Sequence, residues 1–345
     1  MLPLLARICG RVKLLRLIDR AAYSAELAPP VIIDRPAALA LPGEFERAIG
    51  FYETREMEWR RVAGGQRREG ATCAYRLDRA LVAEGAVYKG LAAEFYRRDG
   101  PKLLLSGPVE RRPTGLLVTN QVIETYFGDW LLQSFTAALL AERIGVPPVR
   151  LARPPWQHEA GYCELLGIVP EPIVRTRFDH LWIVDDRGMN DDRAARFKLL
   201  RDRLRSVAAG KPSTGRVLIA RGQSGKGRGL INDRAVVDLL AKRGFEVITP
   251  ETMLPAAIVA ALAKANVVVT IEGSAQNHAL LACPAGATLV ILQPPRRFTA
   301  PGKDWGDLVG LRYAFVVGEP TNSANDDFEI DLARLTALLD MVEAG

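Results

Sequence analysis

The chain has 345 residues, 48% of them apolar and 25% charged, with 46 basic against 40 acidic side chains and a net charge of +6. That length exceeds what one core usually organises, so two domains are expected, and the balanced composition is that of a soluble globular protein, with disorder not expected over most of the length. The basic residues are dispersed rather than interleaved with aromatics, which argues against nucleic-acid binding.

The first twenty residues carry Arg7, Arg11, Lys13, Arg16 and Arg20 against one acid, Asp19, while Leu4, Leu5, Ile8, Val12, Leu15 and Ile18 recur at near-helical spacing. This pattern predicts a basic amphipathic helix that either docks loosely on anionic lipid or packs on its own domain. Arginines interrupt every apolar run, unlike a signal peptide or a spanning helix. From Glu44 to Gly70 no periodicity stands out. Lys102–Ser106 and Leu116–Asn120 read as short strands. Trp130, Leu131, Phe135, Leu139 and Leu140 share one face of a helix over Phe127–Ile144, stopped by Gly145. His180–Val184 reads as a strand and Asp191–Ala209 as a basic helix, and Gly210–Gly215 marks the domain boundary. Beyond it, strands at Val217–Ala220, Glu246–Ile248, Val267–Thr270 and Leu289–Leu292 alternate with helices, one capped by Asn232 and one opening at Pro255. This rhythm predicts a doubly wound parallel sheet. Asp331–Val342 is an amphipathic helix expected to lie across both domains.

Cys9, Cys73, Cys163 and Cys283 lack paired spacing and read as reduced thiols of a cytoplasmic protein. His158, His180 and His278 are not at metal-site spacing, so a zinc site is not expected. Asp185-Asp186 closes a strand without the Asp-x-Asp spacing of metal-dependent nucleotide-sugar enzymes, and no metal is assigned to it.

Two loops follow strands where parallel sheets bind phosphate. In Arg221–Gly229, glycines allow close backbone approach while Arg221, Lys226 and Arg228 supply charge. This is not a nucleoside-triphosphatase loop, because Gly227 stands where Ser or Thr should follow the lysine. In the second loop, Glu272 and Gly273 precede Ser274, expected to cap a helix whose amides hold an anion, with Asn277 and His278 in its first turn. A carboxylate such as Glu272 fits there if it meets a sugar or ribose hydroxyl. In the other half, Asp129 stands between Tyr126-Phe127-Gly128 and Trp130, either as an N-cap or as a general base.

The stretch from Arg221 through Asn232 and Gly244-Phe245-Glu246 to Gly273-Ser274, Asn277 and Pro284-Ala285-Gly286 resembles glycosyltransferase family 61, also known from capsular-polysaccharide biosynthesis proteins. Phe127-Gly128-Asp129-Trp130-Leu131 adds a weaker echo. The sequence departs from the family where Asp129 and Glu272 replace frequent histidines, although both groups can accept a proton. The resemblance implies a GT-B architecture of two Rossmann-like domains facing across a cleft. On this reading residues 1–40 are an N-terminal segment, 41–209 an acceptor-side α/β domain, 210–325 the nucleotide-sugar-binding domain and 326–345 a C-terminal helix. It implies an inverting, metal-independent transfer of a sugar from a nucleotide-sugar donor, without a cofactor, to a surface-glycan acceptor. Asp129 or Glu272 would be the base. Arg221, Lys226, Arg228, Gly273, Ser274, Asn277 and His278 would bind the donor nucleotide and diphosphate. The rival expectations are a polysaccharide pyruvyl transferase on a similar scaffold and a non-catalytic nucleotide- or glycan-binding protein.

Overall fold

A computed structural model describes residues 16–97, 108–207, 215–222, 229–322 and 326–344. The expected basic helix over residues 1–20 and the strand at Lys102–Ser106 fall wholly or mostly outside these residues, as do Lys226 and Arg228. The chain divides into two compact units. Unit 1 comprises residues 1–31, 69–159 and 167–196, and unit 2 comprises 32–68, 160–166 and 197–345. In chain order the elements are β1 (Tyr23–Ala28), β2 (Val31–Arg35), α1 (Arg55–Ala63), β3 (Gly65–Glu69), β4 (Thr72–Ala83), β5 (Ala86–Lys89), β6 (Ala92–Phe95) and β7 (Glu110–Leu117). Next comes α2, which begins at Phe127–Asp129, passes through a π-helical turn at Trp130–Ser134 and continues over Phe135–Ile144. Then follow β8 (Pro148–Leu151), α3 (Glu159–Leu166), β9 (Glu171–Ile173), β10 (Arg175–Asp185), α4 (Asp191–Val207), β11 (Arg216–Ile219), α5 (Asp233–Lys242), β12 (Glu246–Ile248), α6 (Pro255–Leu262), β13 (Val267–Ile271), α7 (Gln276–Ala282), β14 (Thr288–Gln293), α8 (Pro301–Asp307), β15 (Arg312–Val317) and α9 (Leu332–Ala344). No helix among the described residues is long and apolar enough to cross a membrane.

Unit 1 is built on an eight-stranded sheet ordered β6-β5-β4-β10-β7-β8-β9, with β1 also paired to β4. Its β10, β7, β8 and β9 run parallel, as a Rossmann-like domain would have them, whereas β1, β4, β5 and β6 form an antiparallel half. Leu77, Leu117, Val149, Phe178 and Leu181 fill its core. Asp186 after β10 is bound by Arg196 at 2.7 and 3.0 Å and by the Thr72 hydroxyl at 3.0 Å, while Asp185 pairs with Arg187 at 2.7 Å. Both carboxylates therefore serve a strand-ending turn held by arginines. Among the described residues no group of three His, Cys, Asp or Glu side chains could hold a metal ion.

Unit 2 carries a five-stranded, wholly parallel sheet ordered β12-β11-β13-β14-β15. Every residue of β13 (VVVTI) and β14 (TLVILQ) is buried, the reading expected of central parallel strands covered on both faces. Asn232 sits at the N-cap position of α5 but does not cap it: its amide clamps Ile330, donating to the carbonyl at 2.7 Å and accepting from the N–H at 3.0 Å. Helix α9 buries Leu335, Leu338, Leu339 and Val342 in the same core as Val290, Leu292 and Val316.

Residues 32–68, unreadable by periodicity, fold onto this sheet through buried acids. Glu44 accepts from the Val317 N–H at 2.6 Å and from Arg334. Glu58, fully buried in α1, accepts from the Ala300 N–H (2.9 Å), the Thr299 hydroxyl (3.1 Å) and Arg61 (2.9 Å). Phe45, Phe51 and Phe298 pack on one another, Phe298 meeting each of the other two rings edge to face. Removing a fully bonded buried carboxylate strands all its donors. Glu58→Ala should therefore lower the unfolding free energy by about 3 kcal/mol in urea titrations, and Glu58→Gln, which keeps one acceptor, by about 1 kcal/mol. A Glu58→Ala protein within about 0.5 kcal/mol of the parent would contradict this role.

Candidate functional site

In unit 2 the strand order reverses between β11 and β13, because β12 lies on one side of β11 and β14 and β15 lie beyond β13. Loops leaving the carboxyl ends at such a switch point diverge and leave a crevice where ligands bind. The last paired residues there are Ile219 and Thr270, and the Thr270 hydroxyl donates to the Ile219 carbonyl at 3.2 Å. Arg221 and Glu272 each stand two residues further along. The two loops singled out in the sequence thus leave adjacent strands on the same edge of one sheet.

The edge carries both signs of charge. Glu272 is 7% exposed, its N–H still bonds to Leu292 of β14, and its carboxylate accepts from Arg297 at 3.2 Å. Arg297 comes from the loop after β14 and lies over the Tyr52 ring, 4.4 Å from its centroid. Such stacking holds a guanidinium in place while leaving donors for an anion. Glu251, after β12, presses on Gly222 so closely that a Cβ there would fall 1.9 Å from a carboxylate oxygen. A side chain at position 222 would have to displace that carboxylate. Gly273 takes φ +145°, a conformation side chains rarely adopt, and its surroundings are open.

The second loop departs from expectation at Ser274. Helix α7 is preceded by Ala275 at the N-cap position, with no side-chain cap. The amides of Gln276, Asn277 and His278 donate to the carbonyls of Gly273, Ser274 and Ala275. Three amides expected to hold an anion are thus spent within the turn. Asn277 stays half-buried at the edge, but His278 turns inward. Its Nδ1 meets the hydroxyl of Tyr162, from α3, at 2.6 Å, and the rings stack at 5.7 Å. Burial pushes the Tyr162 phenol well above its usual range, so it keeps its proton, and the direction of the bond follows the imidazole tautomer. Lys226 and Arg228 lie outside the described residues.

In unit 1 the loop after β7 leads into α2, which places Asp129 third in the helix, after Tyr126 at the N-cap position. Asp129 is therefore not a cap. Its Oδ1 accepts from Gln133 Nε2 at 2.6 Å. Burial raises its carboxyl above the usual range, and the Gln133 hydrogen bond and the Arg193 charge oppose that rise. A desolvated carboxyl with a neutral partner is the state expected of a general base. The five-residue π-turn just after it is pinned by Ser134, whose hydroxyl donates to the Val118 carbonyl at 3.0 Å; such turns recur at functional sites.

Sequence reasoning missed Arg297, Tyr52 and Glu251. The rule that found Arg221, a basic residue just past a predicted strand, finds Arg297 as well once applied to Pro294-Pro295-Arg296-Arg297. Tyr52 and Glu251 carry no such signal.

Comparison with known proteins matches residues 122–290 to the family model described as Glycosyltransferase 61. No curated protein matches the chain. The matched stretch runs from the loop before Asp129 to β14, taking in Arg221 and Glu272. Over residues 122–290, just under half of its length, the chain is thus similar to glycosyltransferase family 61, the family that its motifs resemble.

Proposed function

We propose that the protein is an inverting, metal-independent glycosyltransferase that moves a sugar from a nucleotide-sugar donor to a glycan acceptor. The observation that carries this reading is the placement of Arg221 and the Glu272–Arg297 pair past the adjacent carboxyl ends of β11, β13 and β14. A donor diphosphate laid along that edge would meet Arg221 and Arg297, with Lys226, Arg228 and the Ser274 hydroxyl, rather than the amides of its turn, as further ligands. Guanidinium groups fixed before the reaction stabilise the charge that develops on the leaving diphosphate without reorganising. Glu272, held by Arg297 and bounded by Gly273 and Asn277, accepts from a ribose or sugar hydroxyl. In that role a carboxylate beside the phosphates orients the donor, and repulsion is offset by the neighbouring arginine.

Asp129 is assigned as the base. Inversion requires a group that takes the acceptor hydroxyl proton as oxygen attacks the anomeric carbon. Glu272 is bound to a guanidinium, whereas Asp129 is desolvated and bonded to an amide, which suits it better to proton transfer. The sign of the pH dependence follows. The base works only when ionised, and burial raises its carboxyl, so turnover should rise with pH above the ordinary aspartate range. Asp129→Asn should lower kcat by at least about 100-fold at unchanged donor affinity. Glu272→Gln should chiefly weaken donor binding; if it instead removes turnover while Asp129→Asn does not, the two roles are exchanged. Arg221→Ala should weaken nucleotide binding by about tenfold or more, equivalent to the loss of one charge-assisted hydrogen bond of about 1.5–3 kcal/mol. Calorimetry showing unchanged affinity in that variant would refute the donor site.

A further inference from the structure

A directional run of hydrogen bonds leads from the backbone after β7 to Asp129. Asn120 Oδ1 accepts from the N–H groups of Val122 and Ile123, at 3.0 and 2.9 Å. These two bonds decide which way the Asn120 amide faces, because only its oxygen can accept from a backbone donor. Its Nδ2 consequently points at Gln133 and donates to Oε1 at 3.0 Å. With Oε1 occupied by a donor, Gln133 offers Nε2 at its other corner, 2.6 Å from Asp129 Oδ1. The order of donors and acceptors is thus set at the backbone and carried through two side chains.

We propose that Asn120 and Gln133 are positioning residues whose relay presents an N–H to Asp129 and so holds it as an ionised acceptor. The proposal rests on the reading of Asp129 as the base. Arg193 of α4 is the charged group that acts on Asp129 from another element, and Arg193 in turn feels Asp186, at 3.9 Å, and Glu69. The relay and Arg193 both oppose the desolvation that favours the protonated acid. Severing the relay leaves desolvation less opposed, so protonation persists to higher pH and the base is lost at the acid end of the profile.

The test uses the full chain in two measurements. Carboxyl carbon-13 NMR follows Asp129 itself, identified by its disappearance in Asp129→Asn, and kcat/KM with a nucleotide-sugar donor is measured against pH. Asn120→Asp is nearly isosteric and keeps both backbone bonds, but it can no longer donate to Gln133 Oε1. The Gln133 amide then turns and sets Oε1 against Asp129. Gln133→Leu removes the donor outright. Each variant should move the Asp129 midpoint upward by about one pH unit, equivalent to a tenfold loss of kcat/KM on the acid limb. In the Gln133→Leu background, Asn120→Asp should add nothing further, because the path is already cut. An Asp129 midpoint unchanged in Gln133→Leu would overturn the relay. So would an Asn120→Asp displacement of equal size with and without Gln133, which would mark a through-space charge effect. If the carboxyl midpoint moves while the kcat/KM profile does not, the relay stands and the assignment of Asp129 as base falls.

Discussion

The parallel pairing of β11 with β13 is the constraint on which the proposed donor site depends. Because Ile219 pairs with Thr270 at the carboxyl ends of both strands, the chain has no choice but to release Arg221 and Glu272 on one edge. Strand order reverses at that point, which is where open parallel sheets commonly receive ligands. The hydrophobic character of β13 and β14 drives this outcome, since strands buried along their whole length can only be central. The meeting of Arg221 and Glu272 on this edge is therefore a by-product of core formation, since each needs only to stand the right distance past its strand.

The edge is completed by a segment distant in sequence. Residues 32–68 are held against the loop after β14 by Glu58 and against β15 and α9 by Glu44. That attachment carries Tyr52 to Arg297 and Arg297 to Glu272. Buried carboxylates of this kind are costly unless every lone pair is used, and both of these acids are multiply bonded. Their value lies in fixing register rather than in net stability. The result is an edge of mixed charge, with guanidinium groups suited to a diphosphate and acids suited to hydroxyls, which matches the two chemical halves of a nucleotide sugar.

The parallel sheet of unit 2 was legible because β-branched runs, proline and glycine punctuation and regular spacing all agree there. Residues 32–68 were not legible, because their packing rests on long-range bonds from polar residues that leave no periodic trace. Asn232 and Ser274 show the limit of local rules. Each stands where a cap belongs, yet Asn232 finds better partners in Ile330, and the turn before α7 satisfies its own amides. Asp129 was legible as an N-cap or a candidate base, but not in its surroundings. Only the fold reveals that Gln133, four residues after Asp129, and Asn120, nine before it, form one chain of bonds with it.

The central claim, that the carboxyl edge at β11 and β13 receives the donor diphosphate, is tested most directly by hydrogen–deuterium exchange of the full chain with and without UDP, GDP and CMP. The account predicts that the nucleotide which binds slows exchange in peptides covering 219–222, 272–278 and 294–299. Slowed exchange confined to the opposite edge, around Gly215, Asn266, Gly286 and Arg312, would contradict it.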